Sequence, residues 1–246
     1  MKKQARDLRQ AINRLISEYI DVTRQPADPR QLELMRSSYG AEELVAAVDV
    51  FLSGQLTMGP HVTIFENDWS SFLPTAFSVM TNSGSSANLL MLSALAFTGT
   101  ENHLQPGDEV IVPAVAWSTS VFPIAQVGCV PVLVDVNLDT LNIDPDQVER
   151  AITPRTRAIM PVHLLGNPCD MHALMDIARR YGLWVIEDCC EAHGASVDGQ
   201  LVGTFGELAA FSFFYSHHMT AIEGGVVCGS DRARWHDLLI SLRAHG

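Results

Sequence analysis

Lysine is nearly missing from this chain of 246 residues: it occurs only as Lys2 and Lys3. Chemistry that needs a primary amine in a folded core has no candidate beyond the N-terminus, because lysine alone among side chains carries one. Positive charge of any kind is scarce, with 16 Lys and Arg against 28 Asp and Glu and a formal net charge of -12. Binding to polyanions is driven by basic side chains neutralising phosphates, so DNA, RNA and anionic membranes are not expected partners. Cysteine is sparse and odd in number, at positions 129, 169, 189, 190 and 228. The opening Met-Lys-Lys-Gln-Ala-Arg-Asp has no apolar run behind it. Neither a disulfide framework nor a secretory signal is supported, and a reducing cytoplasm is the expected location. One stretch without charge, Val110 to Val134, is long enough to suggest a membrane span. Pro113, Pro123, Pro131 and several hydroxyl residues interrupt it, which fits a strand, a loop, a short helix and a second strand.

The length allows one large domain or two small ones. Apolar residues at helical spacing predict an amphipathic helix over 5–20, followed by a proline-containing link from Gln25 to Arg30. A second helix is expected over 41–52, stopped by Gly54. From Phe77 onward, apolar strands alternate with helical patterns. Strands are expected at 78–81, 109–112, 132–136, 158–162 and 183–187, and helices at 85–97, 119–127, 145–152 and 171–181. Strands that are apolar throughout indicate a mainly parallel sheet with helices on both faces. No repeat or low-complexity tract divides this region.

Three blocks carry chemistry. Asn82-Ser-Gly-Ser-Ser-Ala-Asn88 lies between a strand and a helix, where free backbone amides and hydroxyls attract an anion; a serine-rich helix cap is the plainer reading. In Leu183-Trp-Val-Ile-Glu-Asp-Cys-Cys-Glu-Ala-His, an apolar strand delivers Asp188 to the sheet edge; an aspartate capping a turn is the alternative. Ser212-Phe-Phe-Tyr-Ser-His-His-Met-Thr-Ala-Ile-Glu-Gly-Gly225 pairs a serine with His217 five residues on. Histidine titrates near neutral pH and suits proton transfer.

In combination these blocks resemble the DegT/DnrJ/EryC1/StrS sugar aminotransferase family, from about residue 40 to the end. The resemblance implies the large domain of the pyridoxal-phosphate-dependent transferase fold type I, aspartate aminotransferase-like. It implies pyridoxal or pyridoxamine phosphate as cofactor, held at its phosphate by Ser85, Ser86 and Ser212, stacked on Trp117 and paired at its ring nitrogen with Asp188. Thr57, Met58 and Gly59, in Gly54-Gln-Leu-Thr-Met-Gly, match the segment that lines the sugar-nucleotide entrance; a glycine-bounded turn explains the same residues.

Two departures narrow the reading. His217 stands where the family has the lysine that forms a Schiff base, and Glu191 stands where sugar aminotransferases commonly have glutamine. His218 falls where those enzymes often carry asparagine. Both departures resemble the branch that removes the 3-hydroxyl of a nucleotide-linked 4-keto-6-deoxyhexose in deoxysugar and O-antigen biosynthesis. Glutamate would then be the amino donor, with His217 and Glu191 catalytic. Family members are homodimers with a smaller C-terminal domain. The resemblance therefore implies an N-terminal arm over 1–35, a cofactor domain over 36–246, a missing small domain and self-association. An aminotransferase-like enzyme and an inactive remnant are the alternatives.

Metal binding has weaker support. Cys169 with His172 and Cys190 with His193 are spaced like ligand pairs, with His163, His217 and His218 as further donors, but the tight cysteine pairs of structural zinc sites do not occur. One dehydratase subgroup carries an iron-sulfur cluster, which Cys190 could help to bind; small buried cysteines explain Cys189 and Cys190 equally well.

Overall fold

A computed structural model describes residues 2–24, 30, 39–97, 99 and 102–245. Two compact units, Met1–Thr63 and Ile64–Gly246, are each described by themselves. The link expected at 25–30 and a division at 35/36 fall largely outside the described residues.

The first unit holds α1 (Lys2–Thr23), α2 (Ala41–Ser53) and the start of α3 (Pro60–Phe72). Arg9 of α1 pairs with Asp49 of α2. The expected apolar stripe of α1 is present but largely uncovered, with Leu8, Leu15 and Tyr19 exposed. Helix α2 ends at Gly54, whose φ of 73° is a left-handed conformation that glycine adopts without a Cβ penalty.

The second unit is built on a seven-stranded sheet in the order β1-β9-β8-β5-β4-β2-β3. Its strands are β1 (Phe77–Thr81), β2 (Glu109–Pro113), β3 (Val130–Val134), β4 (Thr156–Ile159), β5 (Trp184–Asp188), β8 (Leu208–Ser212) and β9 (Gly225–Gly229); β6 (Ser196–Val197) and β7 (Gln200–Leu201) form a separate ribbon. The pairs β8–β5, β5–β4, β4–β2 and β2–β3 are parallel, whereas β9 runs against both β8 and β1. Reversing direction twice makes β1 parallel to the rest. The carboxyl ends of β1, β2, β5 and β8 and the amino end of β9 therefore meet at one edge, where open α/β sheets place their ligands.

Side chains alternate between the faces. Val110, Val112, Ala158, Ile186, Leu208 and Ala210 pack in one cluster with α4 (Gly84–Ala96), with Ile124 of α5 (Ser118–Gln126) and with Trp235 and Leu239 of α8 (Arg232–His245). On the other face, Ile111, Ile159 and Val185 pack with Val148 of α6 (Pro145–Ala151) and with Met171, Leu174 and Ile177 of α7 (Met171–Tyr181). Phe211 and Val226 pack there on Trp69 and Leu73. Continuous burial on both faces explains strands without polar alternation. The run from Val110 to Val134 resolves into β2, α5 and β3, and among the described residues no helix is long and apolar enough to cross a membrane.

Candidate functional site

The alternation that builds the core also sorts the carboxylates of β5. Ile186 faces α4, so Asp188 does too and Glu187 faces away. Asp188 is 4 % exposed. Its Oδ2 accepts from Asn88 Nδ2 on α4 at 2.7 Å and from Ser120 Oγ on α5 at 2.7 Å. Its Oδ1 accepts from the Cys190 N–H at 3.1 Å. The strand end is pinned as well, since the Asp188 N–H donates to Pro161 O and the His163 N–H to Asp188 O. Asn88 and Ser120 lie 100 and 68 residues from Asp188 in sequence, and no local pattern marked either as its partner.

The amino end of α4 forms the adjoining part. Ser83 caps the helix, accepting from the Ser86 N–H at 3.1 Å. Ser85 is exposed and donates to Thr119 Oγ1 at 3.1 Å, and the Ser86 hydroxyl lies 3.2 Å from that of Ser83. Ser212 closes in on this turn from β8. A Cβ added at Gly84 would sit 2.4 Å from Ser212 Cβ, 2.9 Å from Ser212 Oγ and 2.8 Å from Cys190 Sγ. Gly225 plays the same part from β9, where an added Cβ would sit 2.2 Å from Ser83 O. The two glycines let a helix start, a strand end and a third strand crowd together. Free amides at the amino end of a 13-residue helix, beside three serines, make a cradle suited to a phosphate.

Trp117 directly precedes α5 at the same edge and is 74 % exposed, leaving an aromatic face uncovered. Glu191 lies beyond β5, and its Oε2 accepts from the Leu165 N–H at 2.6 Å. Leu165 has a φ of 53°, in the left-handed region that non-glycine residues seldom occupy. His217 lies in the loop between β8 and β9, its N–H donating to Phe214 O at 3.0 Å. Partial burial lowers its pKa, aided by His218 and opposed by Glu191 and Asp188, so the imidazole is neutral near pH 7 and able to accept a proton. Thr57, Met58 and Gly59 form the turn between α2 and α3 in the first unit, with Met58 in a left-handed conformation at φ 43°.

His193 belongs to the same histidine group, although the sequence singled it out only as a weak ligand pair with Cys190. It packs on Trp69, Phe211 and Phe213, and its Nδ1 lies 3.2 Å from His218 Nε2. Burial, with His218 and His217 adding to it, pushes its pKa down to about 3. An unfolded histidine titrates near 6.5, so below that pH the unfolded chain binds a proton that the folded chain refuses. This group's contribution to stability is present above pH 6.5 and is lost as pH falls toward 3, by about 1.4 kcal/mol per pH unit. A His193→Leu variant should therefore lose less stability than the wild type between pH 7 and pH 5 in urea unfolding. Parallel losses would refute this account.

Cys169 and His172 are not paired as metal ligands. Cys169 is buried with its thiol donating to Val162 O at 3.2 Å, while His172 is exposed beside Asp198. Among the described residues the one grouping of three potential ligands is His163, Glu187 and Cys189. Its donors are already committed. Glu187 accepts backbone N–H groups from Gly203, Phe205 and Gly206 at 2.8–2.9 Å and faces His163 Nε2 at 3.3 Å. The His163 Nδ1 accepts from the Cys169 N–H at 3.0 Å, and burial raises the Cys189 thiol well above its usual pKa. This is a saturated buried carboxylate with the geometry of a structural anchor. Cys190 lies apart from it, against Gly84 and Asp188, with its thiol pKa likewise raised by burial and by that carboxylate.

Comparison with known proteins bears on this arrangement. Residues 37–246 match the model of the DegT/DnrJ/EryC1/StrS aminotransferase family. The chain is 44% identical over 213 residues to a GDP-4-keto-6-deoxy-D-mannose 3-dehydratase of Yersinia pseudotuberculosis, covering 87% of this chain and 54% of that protein. It is 41% identical over 228 residues to the lipopolysaccharide biosynthesis protein RfbH of Salmonella typhimurium, covering 91% and 52%. The solved structure of the E. coli GDP-4-keto-6-deoxy-D-mannose-3-dehydratase with bound hydrated PLP superposes with a TM-score of 0.82 at 40% identity, over 88% of this chain and 55% of that one. The chain thus spans about half the length of the curated relatives it matches.

Proposed function

Because the chain belongs to the DegT/DnrJ/EryC1/StrS aminotransferase family, and has the large-domain fold of the type I pyridoxal-phosphate-dependent transferases, we propose that it serves a 3-dehydratase. The substrate is a nucleotide-linked 4-keto-6-deoxyhexose, with glutamate as amino donor, in cytoplasmic synthesis of surface polysaccharide. The observation that carries this reading is His217, an imidazole where an aminotransferase needs an amine, in a chain whose only lysines are Lys2 and Lys3.

Pyridoxamine phosphate supplies the amine that engages the keto group and the ring that delocalises electrons. The protein's residues do the rest. The α4 amides with Ser85, Ser86 and Ser212 hold the phosphate. Trp117 would stack on the ring, and Asp188 would hold the ring nitrogen. His217, neutral near pH 7, would serve as the base beside the bound cofactor and, once protonated, would give a proton to the departing 3-hydroxyl. Glu191, held by the Leu165 N–H, adds negative charge that stabilises the protonated form of His217. Thr57, Met58 and Gly59 are proposed to contact the sugar nucleotide on the family resemblance alone, and the chain is proposed to act as a homodimer.

Incubation with a GDP-linked 4-keto-6-deoxy sugar, pyridoxal phosphate and glutamate should release ammonia and 2-oxoglutarate. Nitrogen retained on the sugar would overturn the proposal in favour of transamination. Borohydride treatment with pyridoxal phosphate should leave the wild type without a covalent label in the 212–225 segment. A His217→Lys variant should acquire one there, read by peptide mass. An unlabelled variant would count against this placement of His217.

A further inference from the structure

We infer that Asn88 and Ser120 are positioning residues for the cofactor's ring nitrogen, acting through Asp188, and that a buried hydrogen-bond deficit at Asn88 is the cost of that role. The inference rests on the functional reading above. An ionised carboxylate offers about four acceptor positions. Asn88 and Ser120 fill both on Oδ2, and the Cys190 N–H takes one on Oδ1. The acceptor that remains is on Oδ1. The Cys190 thiol lies against the same carboxylate, but a thiol is a weak donor that a ring N–H outcompetes.

The Asn88 amide makes the argument specific. Its Nδ2 donates to Asp188 Oδ2 and to Thr119 O, while its Oδ1 is buried with no hydrogen-bond partner among the described residues. Turning the amide over would set its oxygen against Asp188 Oδ2 at 2.7 Å, two acceptors face to face. The orientation is therefore dictated by the carboxylate, and the orphaned oxygen is what it costs. Buried unsatisfied acceptors are uncommon and call for a cause. Asn88 and Ser120 are each 1 % exposed and come from two different helices, so the carboxylate is clamped from both sides. Two donors from separate helices fix the carboxylate and leave an acceptor on Oδ1 for the ring N–H.

The test uses pyridoxamine phosphate labelled with nitrogen-15 in the ring, bound to the wild type and to the Asn88→Leu and Ser120→Ala variants. Asn88→Leu removes the orphaned oxygen but also takes a donor from Asp188 Oδ2 and Thr119 O, so its thermal stability should fall and the resonance, not affinity alone, carries the test. Both variants should bind roughly tenfold more weakly, and the double variant more weakly still. The nitrogen-15 resonance should move toward that of an unprotonated pyridine. Ser120→Thr, which keeps the hydroxyl, should restore the wild-type resonance. Binding and resonance unchanged in both variants would overturn the inference and leave the functional reading standing. So would weaker binding that only tracks a loss of stability, without a change in resonance. A wild type that fails to bind pyridoxamine phosphate would overturn both.

Discussion

Asp188→Ala is expected to lower affinity for pyridoxamine phosphate by two orders of magnitude or more and to destabilise the fold by roughly 2–5 kcal/mol. The first effect follows from removing the proposed acceptor of the ring N–H, a carboxylate on a residue only 4 % exposed. The second follows from three stranded donors. Asn88 Nδ2, Ser120 Oγ and the Cys190 N–H all point at this carboxylate, and truncation leaves each without its acceptor. Asp188→Asn keeps the shape, so it should lose much less stability while still losing affinity, because an amide carries no charge to hold a proton on the ring. Titration with the cofactor and urea midpoints of both variants check this. Near-normal binding by Asp188→Ala would mean that the ring does not lie over this carboxylate.

The Glu-Gly-Gly triplet should prove asymmetric. Gly225→Ala is expected to cost about 3 kcal/mol or more, whereas Gly224→Ala should cost about 1 kcal/mol or less. An added methyl at Gly225 would sit 2.2 Å from Ser83 O, 2.4 Å from Ser83 C and 2.7 Å from Gly84 N. All three atoms are backbone, so no rotamer change relieves the clash. Either β9 leaves its register against β1, where Gly225 pairs with Thr81, or the turn before α4 moves. The second route distorts the turn proposed to hold the phosphate, so Gly225→Ala should weaken cofactor binding even if it folds. At Gly224 the nearest atom would be Phe213 Cβ at 3.4 Å, an ordinary contact. Equal costs at the two positions would show that the close approach of Ser83 is not what makes glycine necessary.

The elements expected between 78 and 187 were legible because their signals are local, whereas β8 (Leu208–Ser212) and β9 (Gly225–Gly229) were not separately expected. Helix α7 begins and ends at the expected residues, and its caps explain why: Asp170 accepts from the Ala173 N–H, and Gly182 takes a left-handed turn at φ 66°. Strand β3 begins two residues earlier than expected, at Val130. Pro131 discouraged a strand there, but β3 is the last strand of the sheet and bonds only to β2, so a missing N–H is tolerated. Strand β4 lies two residues earlier than expected, at 156–159, and the chain beyond it continues only as the Met160 N–H to Ile111 O bond and a bridge from Val162 to Asp188. Helix α3 was not separately expected, since its apolar residues show little preference for one side.

The site divides in the same way. Asp188, Ser212 and His217 stand out in the sequence through the resemblance of short blocks to the family, and their roles belong to the proposal. Asn88 and Ser120 do not, because their role exists only once two helices cover one strand end. Asn88 lies in the serine-rich block in sequence, yet its side chain donates to the carboxylate of Asp188. His193 drew notice in sequence through its neighbour Cys190, whereas its surroundings are Trp69, Phe211, Phe213 and His218.

Strand β5 ends in two adjacent acids with opposite assignments: Glu187 in a ring of backbone amides, Asp188 beneath two helices. Sliding this strand by a single position would swap their compartments, presenting a longer arm to the ligand and an aspartate too short for its anchor. A deletion or insertion anywhere from Trp184 to Asp188 would thus disable binding and folding at one stroke. Loops elsewhere can be lengthened in engineering this scaffold, but this five-residue span has to be transplanted whole.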